Sequence, residues 1–238
     1  MQNQNKGKLY LIPTVLSPDT NENALSPEIS KVIERTNHFF VENVRTARRF
    51  ISSLKIQKVI DDIDFKILDK STQVEELYQQ MTLLDEGIDM GVLSESGCPG
   101  VADPGALVVS LAHEKGIRVI PLVGPSSILL SLMASGFNGQ QFRFIGYLPI
   151  DKHQRKIAIK ECERDLVRNN CTQIFIETPY RNDQILKVLA ETLHPNTKIC
   201  VAVDITGESE MIKTLPAVKW KKEKLVIGKV PTVFLIGQ

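Results

Sequence analysis

Residues 88–122 read IDMGVLSESGCPGVADPGALVVSLAHEKGIRVIPL, and this stretch decides the predicted fold. The apolar run at 88–93 predicts a buried strand, and a loop rich in Gly and Pro follows it at 94–105. Apolar residues at helical spacing then predict a helix that ends at Gly116, before a second strand at 117–122. This order is typical of a parallel sheet with helices packed against it.

The same alternation extends back to residue 9. The spacing of Thr72 and Glu75 predicts a capping box at the start of one helix, and Ser26 with Pro27 predicts the start of another. The further predicted strands are 9–12, 39–41 and 65–68, and the further predicted helices are 26–35, 44–54 and 72–84. The pattern indicates a largely parallel sheet covered by helices on both faces.

A break in the alternation at residues 123–126 predicts a domain junction, which gives an N-terminal α/β domain at 1–122 and a C-terminal α/β domain at 123–238. The predicted C-terminal elements are a helix at 126–134, a strand at 142–145, a helix at 152–168, a strand at 173–176, a helix at 182–193, and strands at 199–203 and 233–236. The stretch before the last strand shows no regular pattern.

Composition narrows the class of protein. Apolar residues make up 42% of the chain and the net charge is +1, so the chain is expected to be globular, and any contact with nucleic acid must come from a local patch. Residues 152–168 are rich in basic side chains, but their interspersed acidic residues argue against a dedicated nucleic-acid surface.

The chain carries no pattern for metal, membrane or export. Its four cysteines form no C-x-x-C pair and its four histidines are scattered, so we expect ordinary thiols in a reducing compartment and no metal site. Residues 1–8 are polar and lack the apolar core of a signal peptide, and no apolar run approaches the roughly 18 residues of a membrane span. We therefore expect a soluble, cytoplasmic protein.

Three loops lie where open α/β sheets bind ligands, beyond the carboxyl ends of their strands. The loop at 94–105 has three glycines and two prolines, so it offers bare backbone N–H and C=O groups to a flat ligand. It lacks the phosphate-loop and dinucleotide fingerprints, and a tight turn without a ligand remains the alternative. The other two loops are 13–19 and 121–127.

Glu42 ends the second predicted strand and therefore points toward the same crevice. Arg45, Arg48 and Arg49 follow on the next helix, at spacings that place them on neighbouring positions of its surface. They form either a patch that faces a substrate or an ordinary solvated helix face.

Several motifs together resemble the tetrapyrrole methylase superfamily, and within it most closely the bacterial small-subunit ribosomal RNA cytidine-2′-O-methyltransferase branch. The motifs are LYLIPT at 9–14, VENVRTARR at 41–49, the loop at 94–105, GIRVIPLVGPSS at 116–127, SGF at 135–137, FIGYLP at 144–149 and IFIETPYR at 174–181.

The resemblance implies a homodimer of two-domain subunits, each with a largely parallel N-terminal sheet, a mixed C-terminal sheet and S-adenosylmethionine in the cleft between the domains. The implied cofactor-binding residues are Pro13, Thr14, Ser94, Glu95, Ser96, Gly97, Cys98, Pro99, Gly100, Val101, Ser126, Ser127, Thr178, Pro179, Ala202, Val203, Pro231 and Thr232.

The chain departs from the family pattern in two places. The first loop of the family usually carries Pro-Ile-Gly-Asn, whereas this chain has Val15-Leu16-Ser17-Pro18. The ribosomal RNA enzymes also usually continue with a further C-terminal segment, whereas this chain stops at Gln238.

Three functions follow as alternatives. The first is 2′-O-methylation of a cytidine in small-subunit ribosomal RNA, with the small subunit as partner. The second is methylation of a tetrapyrrole or another small molecule, and the third is a non-catalytic role in nucleoside binding or assembly. For the methyltransferase we hypothesise that Glu42 accepts a proton from the nucleophile and that Arg45 orients an anionic substrate.

Overall fold

The computed structural model describes residues 6–69 and 71–238, which divide into two structural units. Unit 1 extends to Pro125, and unit 2 comprises Ser126–Gln238. The boundary predicted between residues 122 and 123 lies shortly before this division. Each unit has its own five-stranded sheet among the described residues.

Parallel strands form the whole sheet of unit 1, as the strand–helix alternation predicts. Its strands are β1 (Lys8–Ile12), β2 (His38–Val41), β3 (Asp64–Ile67), β4 (Met90–Leu93) and β5 (Arg118–Pro121), in the order β3-β2-β4-β1-β5. Its helices are α1 (Asn21–Ala24), α2 (Pro27–Arg35), α3 (Val44–Ser53), α4 (Val74–Gln80), α5 (Thr82–Asp85) and α6 (Gly105–Glu114).

Both faces of this sheet are covered by helices because side chains alternate along each strand. On β1, Leu9 packs into one core with residues of α4, α5 and α6, whereas Tyr10 packs into a second core with residues of α2 and α3. Both side chains are nearly inaccessible to solvent. Strands buried on both faces explain the continuous apolar runs in the sequence.

The single helix predicted at 72–84 is wrong, because the structure breaks it into α4 and α5 around Met81. The predicted capping box is wrong as well. The Thr72 hydroxyl accepts the Asp69 N–H at 2.8 Å, so it closes the preceding turn and caps no helix. Helix α4 begins after Gln73, and no side chain in the described part of the chain caps it.

Unit 2 contains the predicted mixed sheet, in the order β6-β7-β10-β8-β9. Strands β6 and β7 are parallel, and the other neighbours are antiparallel. The strands are β6 (Phe142–Tyr147), β7 (Thr172–Ile176), β8 (Lys198–Val203), β9 (Met211–Pro216) and β10 (Thr232–Gly237), and the helices are α7 (Ser127–Ser135), α8 (Lys152–Asn169), α9 (Asn182–Thr192) and α10 (Ala217–Trp220).

The edge strand β9 and the short helix α10 were not predicted, since they fall in the stretch that shows no regular pattern. Every residue of β9 is half-buried, so no alternation of apolar and polar side chains marks it in the sequence. Strand β9 is defined by its pairing with β8. Helix α10 is held in place by the Trp220 indole N–H, which donates to the Ile199 carbonyl of β8 at 2.9 Å. No helix in the described part of the chain has the length and apolar character needed to cross a membrane.

Candidate functional site

The loop after β4 turns sharply because three of its residues adopt left-handed backbone conformations. Gly97 has a φ of 75°, Gly100 of 78° and Ala102 of 58°. Glycine adopts this region at no steric cost, whereas alanine is strained there. The sequence prediction of a fixed, glycine-dependent turn between β4 and α6 is confirmed.

Asp103 holds the two ends of this loop together. One oxygen of its carboxylate accepts the backbone N–H of Gly100 at 3.0 Å and that of Gly105, the first residue of α6, at 2.7 Å. A Cβ at position 105 would lie 2.8 Å from this oxygen, which explains the glycine. Asp103 therefore satisfies a free N–H at the start of α6 and also bridges back into the loop, whereas the N-cap position itself is occupied by Pro104.

The loop after β1 is joined to the loop after β4. The Thr14 N–H donates to the Gly97 carbonyl at 3.0 Å, and the Thr14 side chain is only 3% exposed. Strands β1 and β4 are neighbours, and the chain leaves them toward opposite edges of the sheet, to β2 and β5. This junction is the switch point at which open α/β sheets bind ligands.

The third predicted loop reaches the same place within unit 1. A Cβ on Gly124 would lie 2.3 Å from the Pro13 Cβ, so the Pro13 ring packs directly against the Gly124 backbone. The Cys98 thiol donates to the Pro125 carbonyl at 3.4 Å. The structure thus brings the loops after β1, β4 and β5 together. Ser126 and Ser127 belong to unit 2, where the Ser126 hydroxyl caps α7 by accepting the Leu129 N–H at 3.4 Å.

A hydroxyl without a partner lies inside this cluster of loops. Among the described residues, nothing bonds to the Thr14 Oγ1, although that atom is buried. Buried polar atoms normally have a hydrogen-bond partner. The unsatisfied Thr14 hydroxyl is therefore a feature that a bound polar ligand would explain.

Glu42 and Arg45 lie beside the cluster, since β2 is the other neighbour of β4. Glu42 directly follows β2 and is half-buried, and Arg45 is exposed in the first turn of α3. Arg48 forms an ion pair with Asp61, so the three arginines do not act as one patch. Arg45 and Arg49 remain exposed on α3.

In unit 2, strand register gathers the three predicted segments at one edge of the sheet. Val203 pairs with Thr232, and Ile176, which precedes the Glu177–Pro179 turn, pairs with Val233. The Asp204 N–H also donates to the Pro231 carbonyl at 2.9 Å. Of the predicted residues, Thr178 and Pro231 are exposed, Pro179 is half-buried, and Ala202, Val203 and Thr232 are buried.

Two residues that shape this edge were missed by the sequence reasoning. The Glu177 carboxylate is buried, accepts the Thr178 N–H at 2.8 Å and pairs with Arg181 at 3.0 Å. The Asn182 amide donates to the carbonyls of Gly228 and Val230, at 3.0 and 2.7 Å. The sequence did carry a signal for the Glu177–Arg181 pair, because an acidic and a basic residue stand four apart in a strand-to-helix turn.

The four cysteines are buried or half-buried, and none forms a disulfide. Burial raises the pKa of the Cys98 thiol above its usual range, and it raises the pKa of Cys162 to about 11. Neither thiol is therefore an activated nucleophile at neutral pH. Across residues 6–69 and 71–238, no group of three His, Cys, Asp or Glu side chains is placed to hold a metal ion.

Relatives with similar sequences share one name. The chain is 28% identical to the Ribosomal RNA small subunit methyltransferase I of Halalkalibacterium halodurans over 230 residues. This alignment covers 96% of this chain and 75% of that protein. It is 25% identical to the protein of the same name from Thermotoga maritima over 235 residues, and this alignment covers 98% of this chain and 99% of that protein. No protein-family model matches the chain.

Solved structures share the fold. The methyltransferase CobJ matches with a TM-score of 0.64 and 18% identity, over 98% of this chain and 94% of that one. Uroporphyrin-III C-methyltransferase from Thermus thermophilus, complexed with S-adenosylhomocysteine, matches with a TM-score of 0.57 and 14% identity, over 98% of each chain. These matches confirm the predicted fold class.

Proposed function

We propose that this chain, a member of the tetrapyrrole methylase superfamily, is an S-adenosylmethionine-dependent methyltransferase that acts on RNA of the small ribosomal subunit. The observation that carries the proposal is the similarity over nearly the whole chain to proteins named for that activity. The finer proposal is that the acceptor is the 2′-hydroxyl of a cytidine.

The residues of unit 1 fit S-adenosylmethionine. The cofactor is a nucleoside with a zwitterionic tail, so it needs both donors and acceptors, and the glycine turns at Gly97 and Gly100 leave backbone groups uncovered by side chains. The unsatisfied Thr14 hydroxyl supplies a further partner. The proposed contacts in unit 1 are Pro13, Thr14, Ser94, Glu95, Ser96, Gly97, Cys98, Pro99, Gly100 and Val101.

The proposed contacts in unit 2 lie at the start of α7 and at the sheet edge formed by the ends of β7, β8 and β10. They are Ser126, Ser127, Thr178, Pro179, Ala202, Val203, Pro231 and Thr232. Glu177, through its bond to the Thr178 N–H, positions the exposed Thr178 at this edge.

When bound, S-adenosylmethionine supplies an electrophilic methyl group on its sulfonium. A hydroxyl that received this methyl group would have to lose its proton. We propose that the Glu42 carboxylate accepts this proton and that Arg45 holds an adjacent phosphate of the RNA. A hydroxyl nucleophile needs such an acceptor because it is weak when neutral.

Thermal unfolding and methyl transfer test the proposed function together. S-adenosylmethionine at a hundredfold excess over its Kd is expected to stabilise the protein by roughly 2.7 kcal/mol, which raises Tm by several degrees. Tritiated methyl groups of the cofactor are expected to enter the RNA of purified small subunits. After nuclease digestion of this RNA, the label is expected in 2′-O-methylcytidine. Large subunits serve as the control. Transfer to tetrapyrroles alone, or cofactor binding without any transfer, contradicts an RNA substrate.

We also propose that the protein acts as a cytoplasmic homodimer, with an apolar patch of unit 2 in the interface. Met133 is 78% exposed and Leu129 50% exposed on α7. A depression of about 330 Å³ beside Met133 is lined largely by apolar side chains, among them Leu130, Ile205 and Ile212. Exposed apolar clusters commonly mark protein interfaces.

A Met133→Glu variant is expected to be monomeric because it places a charge in this patch, whereas the unmodified protein is expected to sediment as a dimer. Sedimentation velocity is the measurement. Val226→Glu is the matched control, since Val226 is 79% exposed in the same unit but outside the patch. A Met133→Glu protein that remains dimeric excludes this patch from the interface.

A further inference from the structure

Helix α8 carries five basic side chains at intervals of four residues. Lys152, Lys156, Lys160, Arg164 and Arg168, here called the α8 ridge, are all exposed. Residues four apart are neighbours on a helix surface and form a continuous row. With a rise of about 1.5 Å per residue, the ridge is about 24 Å long.

The acidic residues of α8 face other groups. Glu163 accepts the His194 N–H at 2.8 Å and also the Thr197 hydroxyl, and so ties α8 to the segment before β8. Asp165 accepts the side-chain amides of Asn169 and Gln173, at 2.7 and 2.8 Å. Of the helix's carboxylates, Glu161 alone is exposed.

The ridge cations themselves are not engaged by acids. In the part of the chain that the structure describes, none of the five forms an ion pair. The buried stripe of α8 packs into the core of unit 2 through residues such as Ile159 and Leu166, which leaves the ridge on the outer surface. Glu163 and Asp165 are thus engaged by other groups, whereas the ridge cations and Glu161 remain exposed.

The position of the ridge connects it to the proposed reaction. Lys152 begins α8 shortly after the end of β6, and the last residue of β6, Tyr147, pairs with Ile176 of β7. The ridge therefore starts at the sheet edge that carries Thr178 and runs away from it. Near its other end, Arg164 and Arg168 line two depressions of about 620 and 460 Å³, together with Glu163 in the first and with Glu161 and Asp165 in the second.

We propose that the α8 ridge binds the phosphate backbone of the substrate RNA and leads it to the methylation site. The inference rests on the proposed function, because it takes RNA as the substrate. A row of unpaired cations complements a row of phosphates, and each contact releases counterions from the RNA. Such contacts position the RNA without reading its sequence.

The test removes three ridge charges, in the variant Lys156→Gln/Lys160→Gln/Arg164→Gln. Binding to purified small subunits is measured across a salt series, together with the methylation rate and the Kd for S-adenosylmethionine. We expect at least tenfold weaker binding at low salt, a salt slope reduced by roughly 2 for three lost phosphate contacts, and an unchanged cofactor Kd.

Two further variants make the result specific. Lys221→Gln/Lys222→Gln/Lys224→Gln removes the same charge from exposed positions of unit 2 and is expected to bind subunits as the unmodified protein does. Lys156→Arg/Lys160→Arg keeps the charge and is expected to keep the affinity. Unchanged subunit binding by the triple ridge variant, or an equal loss in the Lys221 control, overturns the ridge proposal. An unmodified protein that binds subunits through the ridge but methylates none of their RNA supports the ridge and contradicts the proposed function.

Discussion

A Gly97→Val variant is expected to bind S-adenosylmethionine about a hundredfold more weakly and to lose most of its methylation activity. Gly97 has a φ of 75°, which a β-branched residue adopts only with strain. A Cβ would also lie 3.1 Å from the Leu16 side chain. The loop must therefore shift where it bonds to Thr14, and isothermal titration with the cofactor measures the effect.

The control for Gly97→Val is Gly116→Val. Gly116 also has a left-handed φ, 63°, but a Cβ there meets no atom of the described residues within 4 Å. Both variants are expected to lose roughly 1–2 kcal/mol of stability from backbone strain, whereas only Gly97→Val weakens cofactor binding. If the two variants bind the cofactor equally well, the β4 loop is not its binding site.

A Glu42→Gln variant is expected to lower kcat for methylation by roughly 10²- to 10⁴-fold while the cofactor Kd stays unchanged. The substitution keeps the size of the side chain and removes the carboxylate that we propose as proton acceptor. Single-turnover methylation of small subunits at saturating cofactor isolates the chemical step from RNA binding.

Two companion variants separate catalysis by Glu42 from a structural role. Glu42→Asp retains a carboxylate and is expected to recover part of the lost rate, whereas Glu34→Gln, at an exposed position of α2, is expected to leave kcat unchanged. A Glu42→Gln enzyme with undiminished turnover removes Glu42 from the proposed mechanism.

Much of unit 1 was predictable because its signals are local. Buried parallel strands appear as apolar runs, helices as apolar residues at helical spacing, and the β4 loop as a cluster of Gly and Pro. The prediction failed where local signals compete. In unit 1, Thr72 has the spacing of a helix cap, but its hydroxyl bonds to the turn at Asp69. In unit 2, strand β9 shows no alternation of apolar and polar side chains, since all of its residues are half-buried.

The candidate site was predictable as a set of loops but not as an arrangement. Parallel strands place their carboxyl ends at one edge, so residues 13–14, 94–105 and Glu42 were expected near one another. The Thr14–Gly97 bond and the contact between Gly124 and Pro13 depend on which strands are neighbours. Spacing along the chain does not contain that information.

The amino-acid sequence by itself determined the order of strands and helices, the bare turn after β4 and the family resemblance, because each depends on residues close together in the chain. Only the tertiary structure decided which loops meet and which charges remain unpaired. Residues 152–168 show the difference. Their mixed charges argue against a nucleic-acid surface. In the structure, however, Glu163 and Asp165 bond to other groups, and helix geometry places the five cations in one exposed row.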